Sequence, residues 1–402
     1  MSGALPELRF PEFTQPIKPV KLGDVASFSK GKGVSKADID PNGSLPCVRY
    51  GELYTVYGTV IDEPVSRTTV PAKDLILSKG GEVLVPASGE TARDIATATV
   101  VKRSGVAIGG DLNIIRSDHD GAYLASYLSG RKRLALAAMA QGNSVVHLYA
   151  AQLGSLDVHL PDVEEERKVS KFLAQVDAKL AALREKVDGL RQFKTGLMQR
   201  LFSQELRFTR EDGSDHPDWE DGRLADVAQI FGGGTPDSNV PEYWNGDIPW
   251  FTPTEIKTKY LQNSVRRISD LGLKNSSAKM LPPGSLILST RATVGEVGIS
   301  SRPCSTNQGF QSLVVHDGQY NEFWYYWIRA HKHKFLRNAA GSTFLEIGKS
   351  EVQKLDVSMP CFDEQRKIAD ALSALDAKID AVTDQITHME TFKKGLLQKM
   401  FV

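Results

Sequence analysis

The fold is decided by the stretch PDVEEERKVSKFLAQVDAKLAALREKVDGLRQFKTGLMQRLF at residues 161–202, because a second version, PCFDEQRKIADALSALDAKIDAVTDQITHMETFKKGLLQKMF, follows at residues 360–401. The two stretches align without a gap and are identical at 15 of 42 positions. In each, apolar residues recur in alternating steps of four and three, which is typical of a helix that pairs with another helix through a heptad seam. Each stretch opens with a proline and then acidic residues, as a helix start favours. We therefore predict two long helices.

The predicted seam is apolar along both helices. Its residues are Val169, Leu173, Val176, Leu180, Leu183, Val187 and Leu190, then Ile368, Leu372, Leu375, Ile379, Val382, Ile386 and Met389. Burying one such side chain is worth about 1.5–3 kcal/mol, so the two helices should cover each other's stripe. A unit duplicated within one chain favours a pseudo-twofold arrangement, which makes the helices antiparallel. At about 1.5 Å per residue each helix spans roughly 55–60 Å and would act as a spacer.

Two alternatives stay open for these helices. Each helix could pack only on its own neighbouring domain. Lys194 and Lys393 interrupt the seam at equivalent positions, and either fix the register or extend their amines to water near a helix end.

The duplication extends over the whole chain. ELRF occurs at residues 7–10 and 205–208, KLGDVA at 21–26 matches RLADVA at 223–228, and LDVHLP at 156–161 matches LDVSMP at 355–360. Between these strings, segments such as GEVLVP at 81–86 and GSLILS at 284–289 predict short strands bounded by turn residues. The predicted fold class is α+β. Its domains are a mixed α/β domain at 1–160, a central spacer helix at 161–203, a second mixed domain at 204–359 and a C-terminal spacer helix at 360–402.

Composition and charge restrict the class of protein. The chain has 402 residues, of which 41% are apolar and 24% charged, as in ordinary soluble proteins. Because 49 Lys and Arg balance 49 Asp and Glu, binding to nucleic acid would have to use local basic patches or basic partner proteins. No apolar run approaches the roughly 20 residues of a membrane span, and the first residues lack the pattern of a signal peptide. We expect a cytoplasmic protein without membrane contact.

Three cysteines, Cys47, Cys304 and Cys361, lie far apart along the chain. This spacing suits free thiols in a reducing compartment and offers no zinc pattern. We expect no metal and no cofactor bound by this chain.

Several predicted loops contain the residue types that contact nucleic acid. Arginine can bond guanine, Asn or Gln can bond adenine, and hydroxyls reach phosphates or base edges. For any one of these residues an ordinary solvated side chain is the competing explanation, so the prediction rests on their clustering. The candidates in the first half are Lys30, Lys32, Lys36, Arg49, Tyr50 and Tyr54, and in the second half Thr252, Thr254, Lys257, Thr290, Arg291, Thr293, Asn307 and Gln308.

Other motifs are better explained as chance. Pro236 and Asp237, followed by Glu255, Ile256 and Lys257, imitate a metal-dependent nuclease, but this Asp follows the turn-forming run GGGTP. The glycines at 232–234 lack the Lys and Ser or Thr of a phosphate-binding loop, which favours a structural turn. We find no motif of a nucleophile elbow, a zinc protease or an amino-methyltransferase.

The sequence resembles a known family, the specificity subunits of Type I restriction-modification systems, over essentially its whole length. The strings that carry the resemblance are KLGDVA, GKGVSKADID at 31–40, PCVRYGELY at 46–54, GGGTPDSNVPEYWNGDIPWFTPTEI at 232–256, the helix openings EEERKV and DEQRKI, and the endings FKTGLMQRLF and FKKGLLQKMF. The resemblance implies that the mixed domains are target recognition domains for a bipartite double-stranded DNA target. It also implies that DNA is faced by the glycine-rich run with Gly233 and Thr235, by the segment with Thr290, Arg291 and Thr293, and by the loop at 307–309. In the first half, Ser88, Thr91 and Arg93 occupy about the positions of Thr290, Arg291 and Thr293.

The same resemblance implies a subunit that is not itself an enzyme. Two modification (methyltransferase) subunits would carry S-adenosylmethionine and methylate adenine, and restriction subunits would use ATP and Mg to translocate and cleave DNA. Two readers on a stiff rod should recognise half-sites at fixed spacing, near one turn of DNA or about 34 Å. The competing hypotheses are a stand-alone metal-dependent nuclease and a coiled-coil adaptor that does not bind DNA.

Overall fold

A computed structural model describes residues 3–142, 145–341 and 345–402. The chain forms two compact units. Unit 1 comprises Met1–Arg184 together with Thr383–Val402, and unit 2 comprises Glu185–Val382. Each unit therefore contains one mixed region and part of both long helices. This division into two units does not test the four predicted domain ranges, which stay a prediction.

Unit 1 is built from short strands and short helices. Its strands are β1 (Pro19–Lys21), β2 (Ala26–Lys30), β3 (Leu45–Val48), β4 (Val60–Ile61), β5 (Ser66–Thr68), β6 (Leu77–Lys79), β7 (Glu82–Pro86), β8 (Ser88–Gly89), β9 (Thr99–Val101), β10 (Ser104–Ile108), β11 (Leu112–Ser117), β12 (Val146–His147) and β13 (Asp157–His159). Its short helices are α1 (Leu22–Val25), α2 (Tyr50–Thr55), α3 (Ala92–Ile95), α4 (Gly121–Ser129), α5 (Arg133–Met139) and α6 (Ala150–Gly154), with 3₁₀ turns at Lys36–Asp38 and Ala72–Asp74.

The main sheet of unit 1 has the strand order β2-β11-β7-β9-β4. Strand β7 lies in the middle of this sheet. Every residue of its sequence EVLVP is buried, as expected for a strand that is covered on both faces. A second sheet has the order β5-β3-β10-β6, while β1 pairs with β13 and β12 with β8, both antiparallel. Helix α4 packs on the main sheet and buries Tyr123 and Tyr127 in the core.

Unit 2 repeats this plan. Its strands are β14 (Glu220–Arg223), β15 (Ala228–Gly232), β16 (Trp244–Phe251), β17 (Tyr260–Leu261), β18 (Arg266–Ile268), β19 (Leu286–Leu288), β20 (Val297–Ser300), β21 (Ser305–Thr306), β22 (Gln311–Val315) and β23 (Asp356–Met359). The helices around them are α8 (Leu224–Val227), α9 (Asp270–Lys274), α10 (Asn321–Ala330), α11 (Lys332–Arg337) and α12 (Lys349–Gln353), with 3₁₀ turns at Pro241–Tyr243 and Pro253–Glu255.

The main sheet of unit 2 has the order β15-β22-β19-β20-β17, strand for strand the order found in unit 1. Strands β14 and β23 pair as β1 and β13 do, and β18-β16-β21 form the smaller sheet. Helix α10 is buried from Phe323 to Ile328, so its aromatic residues form much of the core. The shared strand order extends the internal duplication from sequence to structure.

The long helices are α7 (Val163–Phe202) and α13 (Phe362–Lys399). In unit 1, Val169 and Leu173 from the start of α7 share a core with Leu396 from the end of α13. In unit 2, Leu201 from the end of α7 shares a core with Ile368 and Leu372 from the start of α13. The helices are thus antiparallel partners, which confirms the predicted fold class. The alternative in which each helix packs only on its own domain is wrong.

Most residues of the predicted seam are buried. Val169, Leu173, Val176, Leu180, Leu183 and Val187 are buried in α7, and Ile368, Leu372, Ile379 and Val382 in α13, while Leu190, Leu375, Ile386 and Met389 are half-buried.

Both lysines that interrupt the seam bond an aspartate of the other helix. The Lys194 amine donates to Asp376 in unit 2, and the Lys393 amine donates to Asp177 at 2.5 Å in unit 1. These two pairs occupy equivalent positions of the repeat. No helix in the part of the chain that the structure describes is long and apolar enough to cross a membrane.

Candidate nucleic-acid interface

In unit 2, the loop after β15 crosses the loop after β21 in close contact. A Cβ atom at Gly233 would lie 1.9 Å from the carbonyl oxygen of Asn307, so only glycine fits there. Just beyond this crossing, the Thr235 hydroxyl donates to the amide oxygen of Gln308 at 2.5 Å, and both side chains are exposed. The structure therefore brings these four predicted residues together.

A neighbouring loop contains the 3₁₀ turn Pro253–Glu255. The Thr252 amide and hydroxyl both donate to Glu255 at 2.7 Å, which caps this turn. Thr254 is exposed, with its hydroxyl 3.5 Å from that of Thr252. Lys257 is exposed, and its amine makes no hydrogen bond or ion pair with any described residue. Of this loop, Lys257 is therefore the group most available to a phosphate.

The loop after β19 completes the cluster. Thr290 is buried and its amide donates to the Gly309 carbonyl at 2.8 Å, so it holds the loop and is not available to a ligand. Thr293 lies beside Pro253, with its hydroxyl 3.5 Å from the Pro253 carbonyl oxygen. Arg291 is partly exposed and forms an ion pair with Glu346 at 2.6 Å.

We call residues 233–235, 252–257, 290–293 and 307–309 the four-loop surface. It combines exposed hydroxyls, an amide and two cationic groups on backbones that hydrogen bonds hold in place. The Gln308 side-chain nitrogen has no hydrogen-bond partner among the described residues. Such a set can bond phosphates and read base edges.

Unit 1 has the same close crossing at Gly31. A Cβ atom there would lie 2.0 Å from the Gly109 carbonyl oxygen, and Gly31 is the repeat equivalent of Gly233. Lys30 and Lys32 on either side of Gly31 are exposed, and so is Lys36 in its 3₁₀ turn. The crossing is a shared frame, but the side chains around it differ between the units.

Arg49 is held by the protein itself. Its guanidinium contacts the buried carboxylate of Glu52 at 3.1 Å, and the Ser66 hydroxyl donates to the same carboxylate at 2.6 Å. Tyr50 and Tyr54 are half-buried on α2 with ring centres 6.4 Å apart. Burial raises the pKa of the Tyr54 phenol above its usual value. The local role of Arg49 is therefore to fix the start of α2.

The three positions carried over from the family resemblance are mostly structural in unit 1. Ser88 is buried in β8. Thr91 caps α3, accepting from the Asp94 amide at 3.1 Å and donating to its carboxylate at 2.6 Å. Arg93 is exposed. Within the described residues, no hydrogen bond links Thr91 or Arg93 to the exposed lysines Lys30, Lys32 and Lys36. The predicted contact residues of unit 1 are therefore not joined by hydrogen bonds among the described residues into one cluster, as those of unit 2 are.

Sequence reasoning missed two arrangements of an aromatic ring with a cationic side chain. In unit 1, Tyr149 is 47% exposed, stacks on His147, and has the Lys30 amine 5.9 Å from its ring centre. In unit 2, the Arg266 guanidinium lies 3.6 Å from the ring centre of Trp244. The string HLY at 147–149 was a usable signal, whereas the stacking of Arg266 depends on the pairing of β18 with β16.

The nuclease candidate does not form a metal site in the described residues. A carboxylate oxygen of Asp237 accepts from the Asn239 amide at 2.9 Å, while both Glu255 oxygens accept from nearby loop groups. The described residues that could together hold a metal do not include Asp237 or Glu255.

These observations define a protein with two related α/β units, each presenting its own polar loops, joined by paired helices. The Type I restriction modification DNA specificity domain matches it at residues 15–190 and again at 217–390. Since these matches cover most of the chain, the protein belongs to this family, which confirms the predicted resemblance.

Comparison with known proteins agrees. The chain is 32% identical over 207 residues to the type I restriction enzyme MjaIX specificity subunit of Methanocaldococcus jannaschii, covering 50% of this chain and 48% of that protein. It is 26% identical over 185 residues to the type I restriction enzyme EcoR124I/EcoR124II specificity subunit of Escherichia coli, covering 44% of this chain and 45% of that protein. The aligned part thus spans about half the length of these curated relatives.

The crystal structure of a Type-I restriction-modification system S subunit from M. genitalium resembles the whole chain. The TM-score is 0.61 at 14% identity, and the match covers 99% of both chains. At this identity the likeness shows the fold alone.

Proposed function

We propose that this chain is the DNA sequence-specificity subunit of a type I restriction-modification complex, and that each unit reads one half of a bipartite target. The observation that carries the proposal is that the two units share one strand order but present different side chains at equivalent loops. A common frame with unlike loops suits two readers of unlike sequences. Neither the nuclease nor the adaptor hypothesis is supported by a specific feature of the described residues.

The test is to express this chain together with its modification subunits and map adenine methylation by methylation-sensitive sequencing. We expect one bipartite motif in which two defined half-sites flank an unread spacer. Methylation without such a motif, or none that depends on this chain, would contradict the proposal.

The proposal assigns no catalytic step to this chain. Modification subunits would supply S-adenosylmethionine-dependent methylation of adenine, and restriction subunits would supply ATP- and Mg-dependent cleavage. With no net charge on the chain, tight DNA binding would depend on the assembled complex. The location proposed for the complex is the cytoplasm.

We further propose that Phe193 and Phe392 each dock one of two modification subunits. They occupy equivalent positions in α7 and α13, and are 60% and 50% exposed. A large exposed aromatic side chain on a charged helix is a typical anchor of a protein interface. Two equivalent anchors suit two copies of one partner.

Replacing either phenylalanine with serine should weaken the docking of one modification subunit by about 30-fold, since interface anchors contribute about 2 kcal/mol or more. Native mass spectrometry should then show complexes with one modification subunit, and few or none for the double variant. Leu134→Ser, at an 85% exposed leucine outside the long helices, is the control and should keep both subunits. Full assembly of the double variant would contradict this assignment.

A further inference from the structure

In unit 2, three potential metal ligands meet at the start of α13. One ligand atom from each of His216, Cys361 and Glu364 lies within 4.8 Å of the other two. The Cys361 sulfur is 3.3 Å from Nδ1 of His216. Cys361 is the residue before α13, Glu364 lies in the first turn of α13, and His216 comes from the loop before β14. His216 is 145 positions from Cys361, so no local spacing in the sequence points to the imidazole as part of the group.

The repeat shows which part of this group is framework. In both units an arginine of the ELRF string bonds a glutamate in the first turn of a long helix, Arg9 with Glu165 and Arg207 with Glu364. The residue equivalent to Cys361 in unit 1 is Asp162. The ion pair therefore belongs to the common frame, while the thiol and the imidazole are added only in unit 2.

The imidazole of His216 is poorly satisfied by the protein alone. The side chain is only 5% exposed, its Nδ1 contacts a sulfur, and its Nε2 is buried without a hydrogen-bond partner among the described residues. A buried unmatched polar atom costs about 1–3 kcal/mol. The nitrogen that faces the group is Nδ1, and a metal–nitrogen bond there would replace its weak contact with sulfur.

The donor set fits zinc. Zinc takes sulfur at about 2.3 Å and nitrogen at about 2.0–2.1 Å in tetrahedral geometry, which puts two such ligands roughly 3.5 Å apart. The observed separation is 3.3 Å. Glu364 also accepts hydrogen bonds from Arg207 and from Trp219 Nε1, the outer-shell support that ligating carboxylates usually have. His216 also lines a cavity of about 600 Å³, whose wall has both acidic and basic side chains, among them Asp363 and Arg366.

We propose that His216, Cys361 and Glu364 form a zinc site with three protein ligands, which ties the loop before β14 to the start of α13. The fourth position would be taken by water. Deprotonation of the Cys361 thiol on binding supplies the thiolate ligand and releases one proton. This inference departs from the expectation, based on cysteine spacing, that the chain holds no metal, and it does not depend on the proposed DNA-reading function.

The test uses the full chain after removal of metal with a chelator. Zinc is titrated in competition with a chromophoric chelator, and cobalt(II) is titrated while the thiolate-to-cobalt absorption band is recorded. We expect one equivalent of either ion and a clear charge-transfer band. Cys361→Ala and His216→Gln should each weaken zinc binding by more than the roughly 10- to 100-fold that loss of an outer-shell partner costs.

Asp162→Ala is the matched control, because Asp162 is the unit 1 counterpart of Cys361, and it should bind zinc as the unchanged chain does. If Cys361→Ala does not fold, Cys361→Asp introduces the residue that unit 1 has at this position and should abolish the cobalt charge-transfer band. Zinc binding by the unchanged chain no stronger than that of Cys361→Ala, or a band that persists in both Cys361 variants, would overturn the proposal.

Discussion

At the residue scale, the predicted contact residues divide into those that hold the loops and those that are free. Thr252, Thr290 and Thr91 bond groups of their own loops or of adjacent ones, whereas Lys257 and the side-chain nitrogen of Gln308 have no hydrogen-bond partner in the described residues. The residue types were chosen because they suit DNA, but the same types also cap turns. Sequence alone could not separate the two roles, since each depends on which neighbour is within 3 Å.

Gln308→Ala should relax recognition in one half-site only. Loss of a base contact costs about 1–3 kcal/mol and widens specificity at that position. Sequencing of adenine methylation in the assembled complex measures this directly. We expect one degenerate position in the half-site read by unit 2 and an unchanged half-site for unit 1.

The control for this experiment is Gln229→Ala, at an exposed glutamine on strand β15 away from the four-loop surface. It should leave the methylated motif intact. An unchanged motif with Gln308→Ala would show that Gln308 does not read a base.

One buried pair differs between the units in a way that makes unit 1 sensitive to pH. Glu166 is fully buried, accepts from the Asp120 amide at 2.9 Å and lies 2.8 Å from Nδ1 of His119. In unit 2 the equivalent residue is Gln365, which bonds Gln319 and the Tyr320 amide instead. Burial raises the pKa of Glu166 above its ordinary value of 4.5, an effect that the Asp120 amide and His119 oppose.

An acid whose pKa is higher in the folded chain stabilises the fold below its unfolded pKa, and this contribution is lost as the pH rises through the folded pKa. Glu166→Gln should therefore remove a decrease in unit 1 stability that begins above about pH 4.5. Urea unfolding between pH 4 and 7 tests this. Gln365→Glu is the reverse variant and should introduce such a decrease in unit 2, and parallel pH profiles for all three proteins would contradict the argument.

At the element scale, the long helices were predictable and the sheets were not. A heptad pattern over some 40 residues is a local signal, and it located α7 and α13 to within three residues of their ends. Strand order depends on pairings such as β3 with β10, which are about 60 residues apart and leave no periodic trace. The sequence therefore indicated short strands, but it could not give the order that the two units share.

The lysine and aspartate pairs between the helices should contribute unequally. In unit 2, the side chains of Lys194 and Asp376 are 13% and 28% exposed, against 26% and 43% for Lys393 and Asp177 in unit 1. Burial lowers the pKa of Lys194, which the bond to Asp376 opposes. Asp376→Asn should lower the free energy of unfolding by about 1–3 kcal/mol.

The matched variant Asp177→Asn removes the more exposed pair and should lower the free energy of unfolding by no more than about 1 kcal/mol. Urea unfolding, with hydrogen exchange to assign the loss to a unit, measures both. Equal losses would show that burial of the pair does not matter.

At the scale of the whole molecule, helix length should set the length of the unread DNA spacer. Both helices begin in one unit and end in the other. Adding one heptad after Leu183 and one after Val382, which are equivalent positions, lengthens each helix by about 10 Å. At about 3.4 Å per base pair, the spacer in the methylated motif should grow by about 3 base pairs while both half-sites stay the same. Seven residues inserted at Gly213, outside the helices, are the control, and a spacer unchanged by the helical insertion would refute this role.

The assembly of unit 1 from two distant stretches of chain also governs the order of folding during synthesis. Unit 2 is continuous, but unit 1 needs Phe401, which is buried with its ring 5.1 Å from that of Tyr123, and Val402, whose carbonyl accepts from the Tyr127 hydroxyl. At about 5–20 residues per second, the ribosome delivers these residues roughly 10–40 s after Arg184. The domain that is translated first is thus completed last, and its unfinished core stays exposed to chaperones and proteases in the meantime.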